Sequence, residues 1–211
     1  MRKQIIIVDD FYDDPHQVRD GALQHGDFRE VGTWPGKGWD DAPVDQATMD
    51  VFAHLVGAPS IWWVKKIGKF RLATASEAVT KGASGHHFTC HVDGYDDPPQ
   101  LWGKEQFAAL VYLSRDEDCK GGTSFFKHKP TGLVALPHDK QDLVPLSDYS
   151  DPSKWEKWNE VPMRFNRCLI FQANLFHHQA LPYGFGDRPE NARLTHNFWF
   201  YTQNPTICDE V

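Results

Sequence analysis

His91, Val92 and Asp93 place a histidine and a carboxylate two residues apart. In an extended strand, residues i and i+2 project to one face, so both side chains can reach one metal ion. A third ligand must come from a distant part of the chain. His177 and His178 offer it, after the strand-like run Arg167–Phe171 and the turn Gln172-Ala173-Asn174. Two histidines and one carboxylate on one side of a metal leave its other positions open. That is the ligand set of a non-haem iron(II) centre that also takes exogenous ligands and oxygen. A His-x-Asp pair alone is common, so its weight rests on what accompanies it.

The run Arg193–Tyr201 accompanies it. With a period of two, Arg193, Thr195 and Asn197 share one face, and Leu194, His196, Phe198 and Phe200 share the other. A polar row backed by an apolar one suits the wall of a polar cavity. A buried guanidinium needs an anionic partner, because an unpaired buried charge is costly. No carboxylate of the chain is evidently assigned to Arg193, and a bound dicarboxylate gripped by the planar fork would answer the need.

The elements that must position these groups follow from pattern. Ile5–Val8 reads as a first strand. Asp14 as N-cap and Pro15 at the first helical position open a helix that Gly26 ends, and a second helix runs from about Val44 to Val56, closed by Gly57. The stretch Trp34–Trp39 reads as a Gly/Pro loop. Short strands then follow at Ile61–Ile67, Lys69–Ala75, Phe88–Asp93, Phe107–Leu113, Thr123–Lys127, Leu133–Leu136, Arg167–Phe171 and Arg193–Tyr201. Helices first and short strands after predict a mainly β fold, a double-stranded β-helix (jelly-roll, cupin-like) barrel buttressed by N-terminal helices. The whole of 1–211 reads as a single domain, with helical support over about 1–60, the barrel over about 61–203 and an insertion over about 137–162. In that insertion Asp151-Pro152 is expected to start a short helix carrying Trp155 and Trp158.

Composition bounds the rest. A formal net charge of −7 argues against an electrostatic grip on nucleic acid. No apolar run is long enough for a transmembrane helix. The N-terminus does not read as a secretory signal, so the cytoplasm is the expected location. Cys90, Cys119, Cys168 and Cys208 have neither zinc-finger nor redox spacing and read as structural thiols. Trp34, Trp39, Trp102, Trp155 and Trp158 lie in loop-like segments, where they either roof the barrel mouth or bury the helices against it.

Taken in order, several segments resemble the 2-oxoglutarate and iron(II)-dependent oxygenase superfamily, its prolyl-hydroxylase-like branch in particular. They are His91-Val92-Asp93, Ala109-Leu110-Val111-Tyr112-Leu113-Ser114, Gly121-Gly122-Thr123-Ser124-Phe125-Phe126, Arg167-Cys168-Leu169-Ile170-Phe171 leading to Asn174-Leu175-Phe176-His177, and Arg193-Leu194-Thr195. The opening Ile7-Val8-Asp9-Asp10-Phe11-Tyr12 is similar too. The resemblance implies iron ligation by His91, Asp93 and His177. It implies that Arg193 and Thr195 bind the distal carboxylate of 2-oxoglutarate, and that Tyr112 matches a tyrosine which in some relatives also bonds the cosubstrate. It favours His177 over His178. Thr123 stands where the family usually has an acidic residue, a departure without catalytic weight.

The activity so implied is oxidation by O2 with Fe(II) and the cosubstrate 2-oxoglutarate, releasing succinate and CO2, with hydroxylation of a C–H bond of an amino acid, peptide or small molecule the usual outcome. Some relatives with Ala or Gly in place of the carboxylate become halogenases, so Asp93 points to hydroxylation or another oxidation. Three alternatives stay open at this point: a cupin-like metalloenzyme without 2-oxoglutarate, a non-catalytic binding protein on the same fold, and a zinc hydrolase, for which no general base is evident near His91.

Overall fold

The computed structural model describes residues 5–30, 36–42, 44–62, 68–77, 90–93, 106–137, 140–180 and 182–202. Trp34, Trp102, His86, His87, His138, Tyr95, Asp96, Asp97, Cys208 and most of the expected strand Ile61–Ile67 lie outside them.

Among the described residues, ten strands and two α-helices follow one another as β1 (Ile5–Val8), α1 (Pro15–His25), β2 (Arg29–Glu30), β3 (Lys37–Ala42), α2 (Gln46–Val56), β4 (Gly68–Ala73), β5 (Gln106–Tyr112), β6 (Gly122–His128), β7 (Trp155–Pro162), β8 (Cys168–Gln172), β9 (His177–Ala180) and β10 (Arg193–Tyr201). Among the described residues they form two antiparallel sheets. The larger has the order β1-β8-β5-β10-β4-β3-β2, and the smaller β7-β6-β9. Consecutive strands mostly pair with distant ones, which is the jelly-roll topology expected from the sequence. None of the described helices is long and apolar enough to cross a membrane.

Both helices start and stop where their capping residues dictate. The Asp14 carboxylate accepts from the Gln17 N–H at 2.9 Å and the Asp45 carboxylate from the Thr48 N–H at 2.8 Å, each satisfying an otherwise orphaned donor. Gly57 ends α2 in the left-handed conformation, φ 71°. The helices cover the back of the large sheet. Phe52 of α2 is fully buried against Phe198 and Phe200 of β10, at ring-centroid distances of 4.9 and 5.2 Å. The opposite face of β10 is thereby turned toward the small sheet. Between the sheets lie Ala108, Phe125, Leu169, Phe171 and Leu175. β8 is buried on both faces, with Cys168 and Ile170 toward the helices and Leu169 and Phe171 between the sheets. That explains its unbroken apolar sequence.

Four local expectations are corrected. Half of the Trp34–Trp39 loop is strand: Lys37–Ala42 is β3, paired with β4. It enters through Gly36, whose φ is +84° and where a Cβ would stand 2.1 Å from the Leu72 carbonyl, so only glycine suits both demands. Residues 1–60 thus contribute β1, β2 and β3 to the large sheet as well as two helices. The expected helix after Asp151 is a single 3₁₀ turn, Pro152–Lys154, and Trp155–Pro162 is β7, an edge strand of the small sheet. Leu133–Leu136 forms only an isolated bridge, Ala135 with Leu175.

Of the two tryptophan roles left open, roof or packing, the structure shows packing for Trp39 and Trp155. Trp39 stacks on Phe70 at 5.5 Å in the core behind the large sheet. Trp155 is buried with Cys90, Val144 and Phe176, and its indole N–H donates to the Asp148 carbonyl at 2.7 Å. Trp158 is exposed on β7.

Candidate metal centre and anion cavity

A cavity of about 300 Å³ opens between the two sheets. His91, Asp93 and His177 line it from one side, and Arg193, Thr195 and Asn197 from the wall formed by β10.

The first group is assembled by backbone. The His91 N–H donates to the His177 carbonyl at 3.0 Å, and the His177 N–H donates back to the His91 carbonyl at 2.9 Å. This two-way bridge sets the imidazole centroids 4.3 Å apart. The Asp93 N–H donates to the Ala173 carbonyl in the turn after β8, at 2.8 Å. One ligating atom from each of His91, Asp93 and His177 then lies within 4.8 Å of the others. The His177 Nε2 is 3.5 Å from the Asp93 Oδ2.

His177 is oriented for ligation. Its Nδ1 is 2.8 Å from the Leu175 carbonyl. A carbonyl only accepts, so Nδ1 is the donor there, and Nε2 is the ring nitrogen that faces the carboxylate and would meet a metal. Phe171, edge-on at 4.6 Å, and Phe125 at 6.4 Å flank the ring. His178, one residue along β9, turns to the other face, where its ring lies 5.0 Å from Tyr183. Burial pulls its pKa down to about 4. His177, and not His178, therefore meets the His91–Asp93 pair.

The opposite wall holds the anion-seeking group. Arg193 is 6% exposed, and its Nε has no hydrogen-bond partner. No carboxylate of the described residues is paired with it, and burial pulls its pKa down to about 10. The Thr195 Oγ1 and the Asn197 Oδ1, on the same face, are also buried without partners. Three orphaned polar atoms in one row are costly in a protein interior unless a ligand satisfies them. Tyr112 stands beside Thr195 across the β5–β10 ladder. Its hydroxyl is 2.8 Å from the Thr123 Oγ1, and burial pushes its pKa up to about 12, so the phenol keeps its proton. Tyr112 sits behind the cavity wall that Thr123 completes.

The donor set thus fits a divalent metal, and the orphaned Arg193 Nε and Thr195 Oγ1, both able to donate, fit a carboxylate, whereas the Asn197 Oδ1 accepts and calls for a donor. Among the lining residues that sequence reading did not assign to the cavity are Lys69, Arg71, Gln179 and Trp199. Gln179 lies two residues from His177 and Trp199 two from Asn197, so the strand period alone would have found them. Lys69 and Arg71 alternate with Phe70 and Leu72 along β4, but only the β4–β10 register brings them to this cavity. His128 is structural, bonded to Thr131 and Asp148 at 2.9 and 3.1 Å. His196 is buried against Phe70 and Tyr12 on the opposite face of β10.

Solved structures of similar fold include the non-haem alpha-ketoglutarate-dependent epimerase SnoN from nogalamycin biosynthesis, with 16% identity, 98% of this chain and 83% of that chain covered, and a TM-score of 0.53. The carbocyclase SnoK of the same biosynthesis, likewise described as alpha-ketoglutarate dependent, has 11% identity, coverage of 95% and 80%, and a TM-score of 0.57. AviO1 from Streptomyces viridochromogenes Tue57 has 12% identity, coverage of 97% and 91%, and a TM-score of 0.58. This chain therefore shares the fold of solved structures described as non-haem alpha-ketoglutarate-dependent enzymes, and the likeness shows the fold alone, with no one branch singled out. No curated protein matches the chain. Over residues 1–200 it matches a family of unknown function, DUF6445, and it belongs to that family.

Proposed function

We propose that this chain is a non-haem iron(II)- and 2-oxoglutarate-dependent oxygenase acting on a small molecule or peptide. One observation carries the reading: a convergent His91–Asp93–His177 set shares one cavity with Arg193, a buried guanidinium that no described carboxylate pairs. A metal site alone would leave Arg193 and Thr195 without purpose, which disfavours a cupin-like enzyme independent of 2-oxoglutarate.

His91, Asp93 and His177 would hold the iron, with Arg193 and Thr195 on the distal carboxylate of 2-oxoglutarate. When bound, iron(II) and 2-oxoglutarate supply the oxidising chemistry, in which O2 is consumed, succinate and CO2 are released and a substrate C–H bond is oxidised. The chain's own residues bind and orient. The Leu175 carbonyl fixes the tautomer of His177. Arg193 offers a planar fork already desolvated, so its charge-assisted bonds to a carboxylate are stronger than they would be in water. Tyr112 keeps its proton and remains a neutral donor beside Thr195. Hydroxylation is the proposed outcome. Relatives of this fold include an epimerase and a carbocyclase, so the product must be measured.

The test is anaerobic addition of 2-oxoglutarate to iron(II)-loaded protein, watching for the visible metal-to-ligand charge-transfer band. The band should appear, vanish in His91→Ala and need far more 2-oxoglutarate in Arg193→Ala. Iron bound without a band would overturn the assignment.

A further inference from the structure

The cationic side of the cavity extends beyond Arg193. On β4, Ala73, Arg71 and Lys69 stand directly across from Arg193, Thr195 and Asn197 of β10. Strand rise of about 3.4 Å per residue puts Arg71 about 7 Å and Lys69 about 14 Å along from the level of Arg193. Exposure rises in the same direction, from 6% at Arg193 to 19% at Arg71 and 27% at Lys69. The row therefore runs from the floor of the cavity toward its mouth.

Among the described residues its charge is not cancelled. Arg71 Nη1 and Lys69 Nζ share the single carboxylate of Asp40, at 2.5 and 3.5 Å. Burial pushes the Asp40 carboxyl up, and the Arg71 and Lys69 contacts more than offset it, so Asp40 is held below the usual carboxylate range and already ionised. Among the described residues one positive charge is left over. Among the described residues lining the cavity, Lys69, Arg71 and Arg193 face a single carboxylate, Asp93, in a chain whose net charge is −7. A bound divalent metal, Asp93, Arg193 and a dianionic cosubstrate would balance one another, leaving the β4 surplus for something else. Lys69 Nζ is also held 5.7 Å from the ring of Trp199, which lines the same cavity. A low-dielectric cleft lined by one sign of charge concentrates ligands of the opposite sign.

We propose that Lys69 and Arg71 form a substrate-side anion subsite, which receives a carboxylate or phosphate group of the substrate while Arg193 and Thr195 hold the cosubstrate. The subsite rests on the oxygenase reading for its role, and on register, exposure and charge for its existence. The substrate class is thus anionic, with the oxidised carbon lying between its anionic group and the metal ligands.

The experiment uses the full chain loaded with zinc(II), a redox-silent substitute, and just-saturating 2-oxoglutarate. Propionate and methyl phosphate are titrated separately at constant ionic strength. The signal is the fluorescence of Trp199, isolated as the difference between the wild-type protein and Trp199→Phe. A saturable change is expected for at least one probe, and the arm that responds more tightly identifies the anion. Lys69→Gln combined with Arg71→Gln should weaken that response at least tenfold and leave 2-oxoglutarate affinity within about twofold. The charge-preserving pair Lys69→Arg and Arg71→Lys should restore it, which separates lost charge from lost folding. No saturable response in the wild-type protein, equal affinity in the Gln pair, or a parallel loss of 2-oxoglutarate affinity would each overturn the proposal; the last would assign Arg71 to the cosubstrate. Failure of the oxygenase reading shows separately, as absence of 2-oxoglutarate binding to the wild-type protein. The same titration without 2-oxoglutarate then still decides whether Lys69 and Arg71 bind anions.

Discussion

His91 and His177 are joined twice through their backbones, each N–H donating to the carbonyl of the other, while both side chains turn to the same point as Asp93. The bridge links the chain before the cavity to β9, so two of three ligands share one local geometry. The third is tied to the β8–β9 turn through the Ala173 carbonyl.

Metal binding should therefore be readable as stability. At a hundredfold excess of free metal over its Kd, a single site adds about 2.7 kcal/mol. Thermal unfolding of chelator-stripped protein should shift upward on adding iron(II) or another divalent metal. The shift should vanish in His177→Ala and Asp93→Ala and persist in His178→Ala. A shift lost in His178→Ala and kept in His177→Ala would reverse the ligand assignment.

Arg193 gives a prediction with the opposite sign. A buried, unpaired guanidinium opposes folding when no ligand is bound. Arg193→Met keeps much of the side-chain volume and removes the charge. Its apo melting temperature should equal or exceed that of the wild type, while the upward shift produced by 2-oxoglutarate disappears. An apo protein strongly destabilised by Arg193→Met would mean that the guanidinium serves the fold and not a ligand.

The sequence made β10 readable to its boundaries, because Arg193, Thr195 and Asn197 alternate cleanly with Leu194, Phe198 and Phe200, one face being apolar and the other polar. The helix ends were readable from Asp14, Pro15 and Gly57, whose roles are local. β7 was not readable. Its middle residues, Glu156 to Trp158, are exposed on an edge strand, so burial imposes no alternation there. β3 was hidden by Gly36 and Gly38, which signal a turn locally although β3 pairs with β4. The site divides the same way. His91 and Asp93 were visible as a near neighbour pair, whereas Arg71 enters the cavity only through its register with Thr195, a long-range pairing that no local pattern encodes.

Tyr112 and Thr123 test how the cosubstrate wall is held. Their hydroxyls lie 2.8 Å apart with both residues buried. Tyr112→Phe removes one partner and should cost about 1 kcal/mol in chemical denaturation. If the hydroxyl also meets the cosubstrate, 2-oxoglutarate affinity falls as well. Comparison with Thr123→Val, which breaks the same bond from the other side, separates the two effects. An equal loss of affinity in both variants would place the role in the bond and not in the tyrosine.

Asp9 carries the pH prediction. It accepts from Arg167 Nε at 2.6 Å, Arg167 Nη2 at 3.1 Å and Arg164 Nη1 at 2.8 Å. These contacts clamp the segment after β1 to the start of β8, beside Asn166, whose side chain bonds the Tyr12 backbone in both directions. The Arg167 hydrogen bond, opposed by burial and reinforced by the charges of both arginines, holds the Asp9 carboxyl below its ordinary value. With the folded-state pKa below the unfolded value of about 3.9, the clamp contributes its full stability above that value. It is lost as pH falls through the folded pKa. Asp9→Asn should therefore melt below the wild type at pH 7, and the two curves should converge as the pH drops below about 4. Because Asp9 and Arg164 are partly exposed, at 33% and 49%, the gap should also shrink with added salt. A gap unchanged by acid would mean that the carboxylate's charge contributes nothing, and that the clamp works through shape and neutral hydrogen bonds alone.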